Sequence, residues 1–292
     1  MASITLRAFA KINLSLRITD VRPDGFHGVQ TILQAIDVFD RVMCTTSRGP
    51  FHIQSDTPGV PTDETNLVWK AAALLWEAAG RDGVPRDAMI GLRKQIPMEA
   101  GLGGGSSDAA AALIGLRKLW KMRIGDEHLH AIAAKVGSDV PFFFTGGTAL
   151  GLGRGDEVYP LEQLPRYWVV LAIPPFGVAT ADAYRWFDEN QGRMPFSARL
   201  RPDNCFKPRF SYLYAINDLE EPVIHRHPLI GQLKQQLTDR GALMAAMSGS
   251  GSTVFGVFGS TSAASRAAGA LRTAGVRVIT ARFLRRFPRR RR

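Results

Sequence analysis

The segment PMEAGLGGGSSDAAAAL, residues 97–113, places four glycines and two serines directly before a run of alanines. A strand-like stretch, MIGLRKQIP (89–97), precedes it, and the alanine-rich stretch 107–120 has the apolar spacing of a helix. A glycine loop between a strand and a helix presents free backbone N–H groups and the positive helix end to an anion. The segment therefore predicts a phosphate site, with a simple tight turn as the alternative for one glycine cluster.

Neither of two common phosphate-binding motifs fits this segment. No GK[ST] follows the glycines, and GLGGGS does not match G-x-G-x-x-G. Asp108 also opposes a phosphate unless its carboxylate points away or caps the helix. A second cluster, SGSGS at 248–252, lies between two predicted strands and by itself predicts a hairpin loop. Together, the two clusters predict opposite sides of one anion-binding cleft.

Composition indicates a globular protein with one large domain or two ordinary ones: 292 residues, of which 45% are hydrophobic and 22% charged. Strands and helices mix without strict βαβ alternation, which predicts an α+β fold with two lobes. No apolar run approaches the roughly 18–20 residues that span a bilayer. The N-terminus lacks a signal-peptide pattern, and Cys44 and Cys205 form no disulfide framework. We expect a cytoplasmic protein without a membrane partner.

The positive charge is concentrated at the C-terminus. The last eleven residues, RFLRRFPRRRR (282–292), hold seven arginines and no acid, so residues 1–281 carry only +4 of the formal +11. This segment predicts a basic, disordered tail and no dedicated nucleic-acid partner. A basic nucleic-acid-binding protein, suggested by a pI of about 10.2, is the rival interpretation.

Several segments together resemble the GHMP small-molecule kinases, in the order that this family has them. They are AKINLSL (10–16), RPDGFH (22–27), PMEAGLGGGSSDAA (97–110), GSDVPFF (137–143), NDLEEPV (217–223) and MSGSGSTVFGVF (247–258). The resemblance implies an α+β, two-lobed fold with the active site in the cleft between lobes. It implies an N-terminal domain at 1–160 with the ATP-binding glycine loop, a C-terminal domain at 161–281 and the tail at 282–292. A monomer or a homodimer is expected.

By this resemblance the glycine loop wraps the phosphates of ATP, and the following helix starts near Ser107. Asn66 is expected to contact the nucleotide, with helix capping as the alternative. The residues expected to bind ATP are Pro97, Met98, Glu99, Ala100, Gly101, Leu102, Gly103, Gly104, Gly105, Ser106, Ser107 and Asn66. Mg²⁺ is expected to arrive with ATP, held by phosphates and water, with one of the two serines in contact and no dedicated protein metal site.

The resemblance makes Lys11 and Asp139 the catalytic pair. On spacing alone, Lys11 is typical of a solvated surface lysine, and Asp139 of a turn cap before a proline. As a catalytic pair, Asp139 takes the proton of the acceptor hydroxyl, while Lys11 orients Asp139 and offsets charge on the transferring phosphoryl group.

The resemblance also implies a pyrimidine site. His27 is expected to hydrogen-bond the edge of a cytosine, and Phe26 and Tyr184 to stack on its two faces. Phe26 stands where a tyrosine is more usual, which keeps the stacking and drops a hydroxyl. Asn13 is expected to contact the acceptor. On sequence alone, a lone histidine is more often structural, and Tyr184 is equally typical of a helix core.

The expected activity is ATP-dependent phosphorylation of a hydroxyl on a cytidine-diphosphate-linked sugar alcohol. The nearest rival is a GHMP kinase for homoserine or mevalonate, which the segment DGFH (24–27) disfavours because those acceptors have no base to stack. A catalytically inactive sensor of the same fold is disfavoured because Lys11 and Asp139 are both present.

Overall fold

The computed structural model describes residues 2–191, 216–271 and 275–286, and has an α+β architecture with two sheets. The first sheet has strand order β3–β4–β2–β5–β6, with β1 pairing to β2. Its strands are β1 (Ser3–Val21), β2 (His27–Thr45), β3 (His52–Ser55), β4 (Met89–Arg93), β5 (Thr148–Leu152) and β6 (Glu157–Pro160). All of its pairings are antiparallel except β3 with β4.

The second sheet is antiparallel throughout, with strand order β10–β7–β9–β8. Its strands are β7 (Trp168–Ile173), β8 (Met244–Met247), β9 (Val254–Phe258) and β10 (Arg277–Arg282). The apolar run WVVLAIPP (168–175) predicts a buried strand, and β7 confirms it. The glycine-rich turn predicted between two strands at 245–258 is also confirmed.

Two groups of helices cover the two sheets, and each group shares an apolar core with its sheet. The helices are α1 (Leu67–Ala78), α2 (Gly104–Leu119), α3 (Asp126–Val136), α4 (Phe142–Thr145), α5 (Thr180–Gln191), α6 (Glu220–Arg226), α7 (Pro228–Asp239) and α8 (Thr261–Ala270). Helices α1 to α4 contribute to the core of the first sheet, and α5 to α8 to that of the second.

Two predictions of local structure need correction. Alternating apolar and polar residues predict separate strands at 2–9 and 12–18. The structure has one strand there, β1, in which the register with β2 shifts after Phe9 and after Asn13. Helix α2 begins at Gly104, rather than near Ser107, because Gly103 takes a left-handed conformation (φ 69°) and starts the first turn there.

A third apolar core joins the two sheets. Ala10, Ile12 and Leu14 of β1 are buried in it together with Leu171 and Phe255 of the second sheet. The sheets separate in the chain between residues 160 and 168, close to the boundary expected at 160/161, yet this core spans both. The division into two domains stays a prediction.

The expected tail at 282–292 begins too early. Arg282 ends β10, Phe283 is buried, and the Leu284 amide donates to the Ala35 carbonyl at 2.9 Å. The Arg286 amide donates to Gln163 Oε1 at 2.9 Å. The prediction of disorder is therefore wrong for 282–286, because apolar residues between the arginines pack on the fold. Residues 287–292 lie outside the described residues, as does Cys205.

No helix within the described ranges is both long enough and apolar enough to cross a membrane.

Candidate active site

Lys11 and Asp139 lie together at the border between core and solvent. The Lys11 side chain is about 5% exposed, and its Nζ lies 3.4 Å from Asp139 Oδ2 and donates to Asn13 Oδ1 at 2.6 Å. Asp139 lies in the turn between α3 and α4, with its side chain 34% exposed. The surface-lysine alternative is wrong, because the middle of β1 is covered on both faces. The structure places a buried ammonium beside a carboxylate that solvent reaches.

Asn13 fixes the orientation of that ammonium. Its Nδ2 donates to Thr31 Oγ1 at 2.8 Å, and the Thr31 hydroxyl donates to the Ser15 carbonyl at 2.7 Å. The amide oxygen is thereby turned toward Lys11. The Asn13 backbone amide donates to Ser248 Oγ at 3.3 Å. The predicted contact of Asn13 with the acceptor stays a prediction, and its role toward Lys11 is visible in the structure.

The first glycine loop, residues 97–107, passes directly over Lys11. The Lys11 amide donates to the Leu102 carbonyl at 3.0 Å. A Cβ on Gly103 would lie 2.9 Å from Phe143 Cζ, closer than real Cβ contacts, and 3.0 Å from Lys11 Cγ, tighter than most of them. This glycine is therefore required by the packing of Lys11 as well as by its positive φ.

The start of α2 is open. The first N–H groups of a helix have no partner within it, and no side chain of the described part of the chain caps this one. Gly105 is exposed, and a Cβ there would meet only Leu67 Cδ1, at 3.8 Å. Ser106 is half-buried, whereas Ser107 is buried and its Oγ donates to the Phe9 carbonyl at 2.7 Å. Of the two serines expected at ATP, only Ser106 keeps its hydroxyl near the loop surface.

The other residues predicted to bind ATP differ in their exposure and in their hydrogen bonds. Asn66 caps α1, since its Oδ1 accepts from the Val68 amide at 2.9 Å and its Nδ2 donates to the Pro61 carbonyl at 2.6 Å. The capping alternative is thus what the structure shows, and the nucleotide contact stays a prediction. Within the first glycine loop, Ala100 and Leu102 are buried, whereas the Met98 side chain is exposed.

The second glycine loop, residues 248–252, joins β8 to β9 and lies against the first. Ser248 Oγ donates to the Gly101 carbonyl at 2.9 Å, and the Thr253 amide donates to the Ala100 carbonyl at 3.3 Å. A Cβ on Gly249 would lie 3.3 Å from Lys11 Nζ. The structure therefore brings the two clusters together on either side of Lys11.

The segment NDLEEPV (217–223) holds the second glycine loop in place. Asn217 Nδ2 donates to the Met247 and Gly249 carbonyls at 2.9 and 2.8 Å. Glu220 Oε2 accepts from the Met247 amide at 2.7 Å, and its Oε1 pairs with Lys234. The only sequence signal for this role was the position of an amide and a carboxylate at the start of a short helix.

A buried charge cluster, Asp40–Lys94–Asp108, lies beneath the start of α2, and sequence reasoning missed two of its members. Lys94 Nζ contacts Oδ2 of both carboxylates. Asp40 Oδ1 accepts from the Ile96 amide at 2.8 Å. Burial raises the pKa of Asp108 to about 7, opposed by the Lys94 charge and reinforced by the Asp40 charge. Asp108 is thus turned into the protein, so its carboxylate neither caps α2 nor faces an anion at the loop.

His27 and Tyr184 meet across the two halves of the chain. Their ring centroids lie 5.0 Å apart with an interplanar angle of 27°, an offset stack. Burial and then the negative charge of Asp139 raise the pKa of Tyr184 to about 12. The structure thus brings Tyr184 against His27, and its role in the site stays a prediction.

Phe26, the other expected stacking residue, is 58% exposed at the turn between β1 and β2. The Arg154 guanidinium lies 5.6 Å from its ring centroid. The described ring contact of Phe26 is therefore with Arg154, and the ring is free to meet a ligand on its exposed side. The expected base sandwich stays a prediction.

Comparison with known families matches both halves of the chain. Residues 66–147 match the family described as GHMP kinases N terminal domain, and residues 208–277 match GHMP kinases C terminal. A Moorella thermoacetica protein is 39% identical over 289 residues, covering 97% of this chain and 100% of its own length. An Exiguobacterium sibiricum protein is 43% identical over 256 residues, covering 87% and 88%. Both are named 4-diphosphocytidyl-2-C-methyl-D-erythritol kinase.

Solved structures give the same fold. A 4-(cytidine 5'-diphospho)-2C-methyl-D-erythritol kinase is 32% identical with a TM-score of 0.76, covering 96% of this chain and 99% of its own. The homoserine kinase from Cytophaga hutchinsonii (20% identical, TM-score 0.68, covering 98% and 96%) shows likeness of fold alone. The same holds for L. major mevalonate kinase (15% identical, TM-score 0.69, covering 97% of each chain).

Proposed function

The chain belongs to the GHMP kinase family, and we propose that it transfers the γ-phosphoryl group of ATP to the 2-hydroxyl of 4-diphosphocytidyl-2-C-methyl-D-erythritol. The observation that carries this proposal is the buried Lys11, paired with Asp139 and enclosed by the two glycine loops. The names of relatives that align over nearly the whole chain supply the substrate. Cytoplasmic location belongs to the same proposal, since ATP is made and used there.

Phosphoryl transfer depends mainly on alignment of the acceptor oxygen and on stabilisation of charge. The Asp139 carboxylate, one-third exposed at the cleft, accepts the proton from the acceptor hydroxyl. Lys11 Nζ, held by Asn13 at 2.6 Å, orients that carboxylate and offsets negative charge on the transferring group. Lys11 lies in a part of β1 that is buried on both faces, so its side chain is held in one position.

The phosphates of ATP bind at the start of α2. The uncapped N–H groups and the helix dipole attract negative charge, and glycine at 105 lets a phosphate approach the backbone closely. Ser106 adds a hydroxyl at the loop surface. The predicted role of Ser107 is reduced to support, since its hydroxyl is bonded to Phe9.

Magnesium fits this arrangement as a partner of the ATP phosphates. Mg²⁺ usually keeps several waters and takes one or two protein oxygens beside phosphate oxygens. Among the described residues, no group of three His, Cys, Asp or Glu side chains could hold a metal ion. Ser106 offers a hydroxyl oxygen at the helix start and would hold the ion together with the phosphates. When bound, the ion supplies neutralisation of phosphate charge.

The cytosine binds at Phe26, His27 and Tyr184. The contact between the His27 and Tyr184 rings supports this placement, because the fold brings together two of the three residues expected there, from distant parts of the sequence. Homoserine and mevalonate, the acceptors of two structurally similar kinases, have no ring to occupy such a pocket.

A substrate panel tests the proposal. ADP release is measured with ATP and 4-diphosphocytidyl-2-C-methyl-D-erythritol, homoserine or mevalonate, and phosphorus NMR identifies the phosphorylated hydroxyl. We expect turnover with the cytidyl substrate alone. Turnover with homoserine or mevalonate in its place would contradict the proposal.

The variant Asp139→Asn keeps the side-chain shape and removes the base. We expect kcat to fall by about 10²–10⁴-fold with the KM for ATP little changed. Asp182→Asn, which alters an exposed carboxylate paired with Arg185, is the matched control and should keep wild-type turnover. Near-normal turnover of Asp139→Asn would remove Asp139 from the role of base.

A further inference from the structure

The His27 ring is held on three sides by helix α5. It stacks on Tyr184, and it contacts the Phe187 ring edge-on, with centroids 6.1 Å apart at 84°. Its Nε2 lies 2.8 Å from Asp188 Oδ1. The His27 side chain is only 13% exposed. Helix α5 therefore fixes both the plane of the imidazole ring and the direction in which its two nitrogens point within that plane.

Asp188 also determines which ring nitrogen carries the proton. A carboxylate can only accept a hydrogen bond, so Nε2 of His27 is the donor in this pair. A neutral imidazole has a single N–H, and its other nitrogen then presents a lone pair. Nδ1 of His27 has no hydrogen-bond partner within the described ranges. Nδ1 is thus the acceptor left to meet a ligand.

The stack defines where that ligand lies. Because the imidazole is offset over Tyr184, a flat ring in the plane of His27 lies in the same layer over the tyrosine. At the edge of such a ring, a bare Nδ1 attracts an amino group and repels a carbonyl oxygen. Cytosine carries an amino donor at position 4, where a uracil-type ring carries a carbonyl acceptor.

We propose that Asp188 is a positioning residue for pyrimidine selection: it holds His27 as an Nδ1 acceptor and so favours a 4-amino over a 4-oxo pyrimidine. This inference rests on the proposed function, since it places a pyrimidine in this site. Asp188 acts through His27 and does not touch the reacting atoms. Its side chain is 54% exposed, so its hydrogen bond to His27 is expected to contribute little to stability, and its variants are expected to fold.

The first experiment observes the proton directly, without substrate. Long-range nitrogen–proton NMR of ¹⁵N-histidine-labelled protein identifies the His27 tautomer in wild type, Asp188→Ala and Asp182→Asn. We expect an Nε2–H tautomer in wild type and in Asp182→Asn, and a mixture in Asp188→Ala. An Nδ1–H tautomer in the wild type, or no change in Asp188→Ala, would overturn the inference.

The second experiment compares kcat/KM for the cytidine-diphosphate-linked substrate and its uridine-diphosphate-linked analogue. Asp188→Ala is expected to lower the cytidine-to-uridine ratio about tenfold, mainly through a higher KM for the cytidine compound. The KM for ATP is expected to stay unchanged, Asp188→Glu to recover part of the ratio, and Asp182→Asn to match wild type.

The outcomes distinguish failure of the role of Asp188 from failure of the proposed function. An active wild type whose ratio is unaffected by Asp188→Ala overturns this inference and leaves the proposed function standing. An equal loss with both substrates shows only structural support of the pocket and also overturns it. A wild type that fails to phosphorylate the cytidine compound overturns the proposed function and this inference together.

Discussion

The two glycine loops are both rich in glycine and serine, but their surroundings are opposite. The first glycine loop, 97–107, runs into the open end of α2, where Gly105 is exposed and Ser106 is half-buried. The second, 248–252, is enclosed between two antiparallel strands and buried at Ser248, Ser250 and Ser252. The first loop leaves backbone exposed at the start of a helix, whereas the second is part of the protein interior.

The hydrogen bonds of the second loop explain this difference. Ser248 Oγ donates to the Gly101 carbonyl, Ser252 Oγ to the Phe176 carbonyl, and Ser250 Oγ lies 3.2 Å from Thr180 Oγ1. Its hydroxyls are thus engaged by protein, and the loop supports Lys11 and the first loop. Glycine and serine content predicts a close approach of backbone, and the neighbours decide whether that approach is to a ligand or to another loop.

The largest effect is expected where the loops touch. Gly101 has φ 72°, and a Cβ there would overlap the Ser248 carbonyl oxygen. Gly101→Ala combines a strained φ with a backbone clash, so we expect a loss of about 3–5 kcal/mol in the free energy of unfolding. Urea unfolding followed by circular dichroism measures it. A loss below about 1 kcal/mol would show that the loops separate freely.

Gly105→Ala isolates the role of the first loop in binding. A Cβ at this position meets only Leu67 Cδ1 at 3.8 Å, so the free energy of unfolding should stay equal or rise slightly. We expect the KM for ATP to rise about tenfold, because the methyl group stands in the path of a phosphate. Gly104 is a poorer probe, since a Cβ there would lie 3.0 Å from Ile96 Cγ2. An unchanged KM for ATP would show that the first loop, like the second, does not bind the nucleotide.

The smallest effects are expected from the adjacent serines. Ser107→Ala removes a buried hydrogen bond to the Phe9 carbonyl and should cost about 1 kcal/mol of stability with the KM for ATP unchanged. Ser106→Ala should leave stability intact and raise the KM for ATP a few-fold. Parallel urea titrations and ATP kinetics separate the two. A reversed pattern would place Ser107, rather than Ser106, at the phosphates.

Sequence patterns were most informative where structure is local. Apolar spacing, an acidic first turn and a closing glycine predict a helix at 126–136, and α3 is found there. The strands on either side of the second glycine loop are also found where the sequence predicts them, because the turn that joins them is local. By contrast, residues 30–46 predict a short mixed segment that ends as a strand, whereas the mixed part also belongs to β2, whose two buried faces conceal the alternation.

The rest of the site depends on partners that are distant in the sequence. Lys94 becomes a buried ion only because Asp40, 54 positions earlier, lies beside it. Asp188 gains a role only when α5 meets His27. Phe283 was hidden among arginines, and only the core between the sheets shows why it is ordered. Lys11 itself needed the resemblance, since spacing alone favoured a surface position.

The core shared by the two sheets has a consequence for synthesis on the ribosome. Ala10, Ile12 and Leu14 are synthesised long before Phe255, Val257 and Phe283, which belong to the same core. Domains usually fold as units while translation proceeds. Here the core around β1 is complete only after Phe283 has left the exit tunnel. The strand that carries Lys11 is therefore made early but packed late, and part of its apolar face stays exposed on the nascent chain until the second sheet arrives.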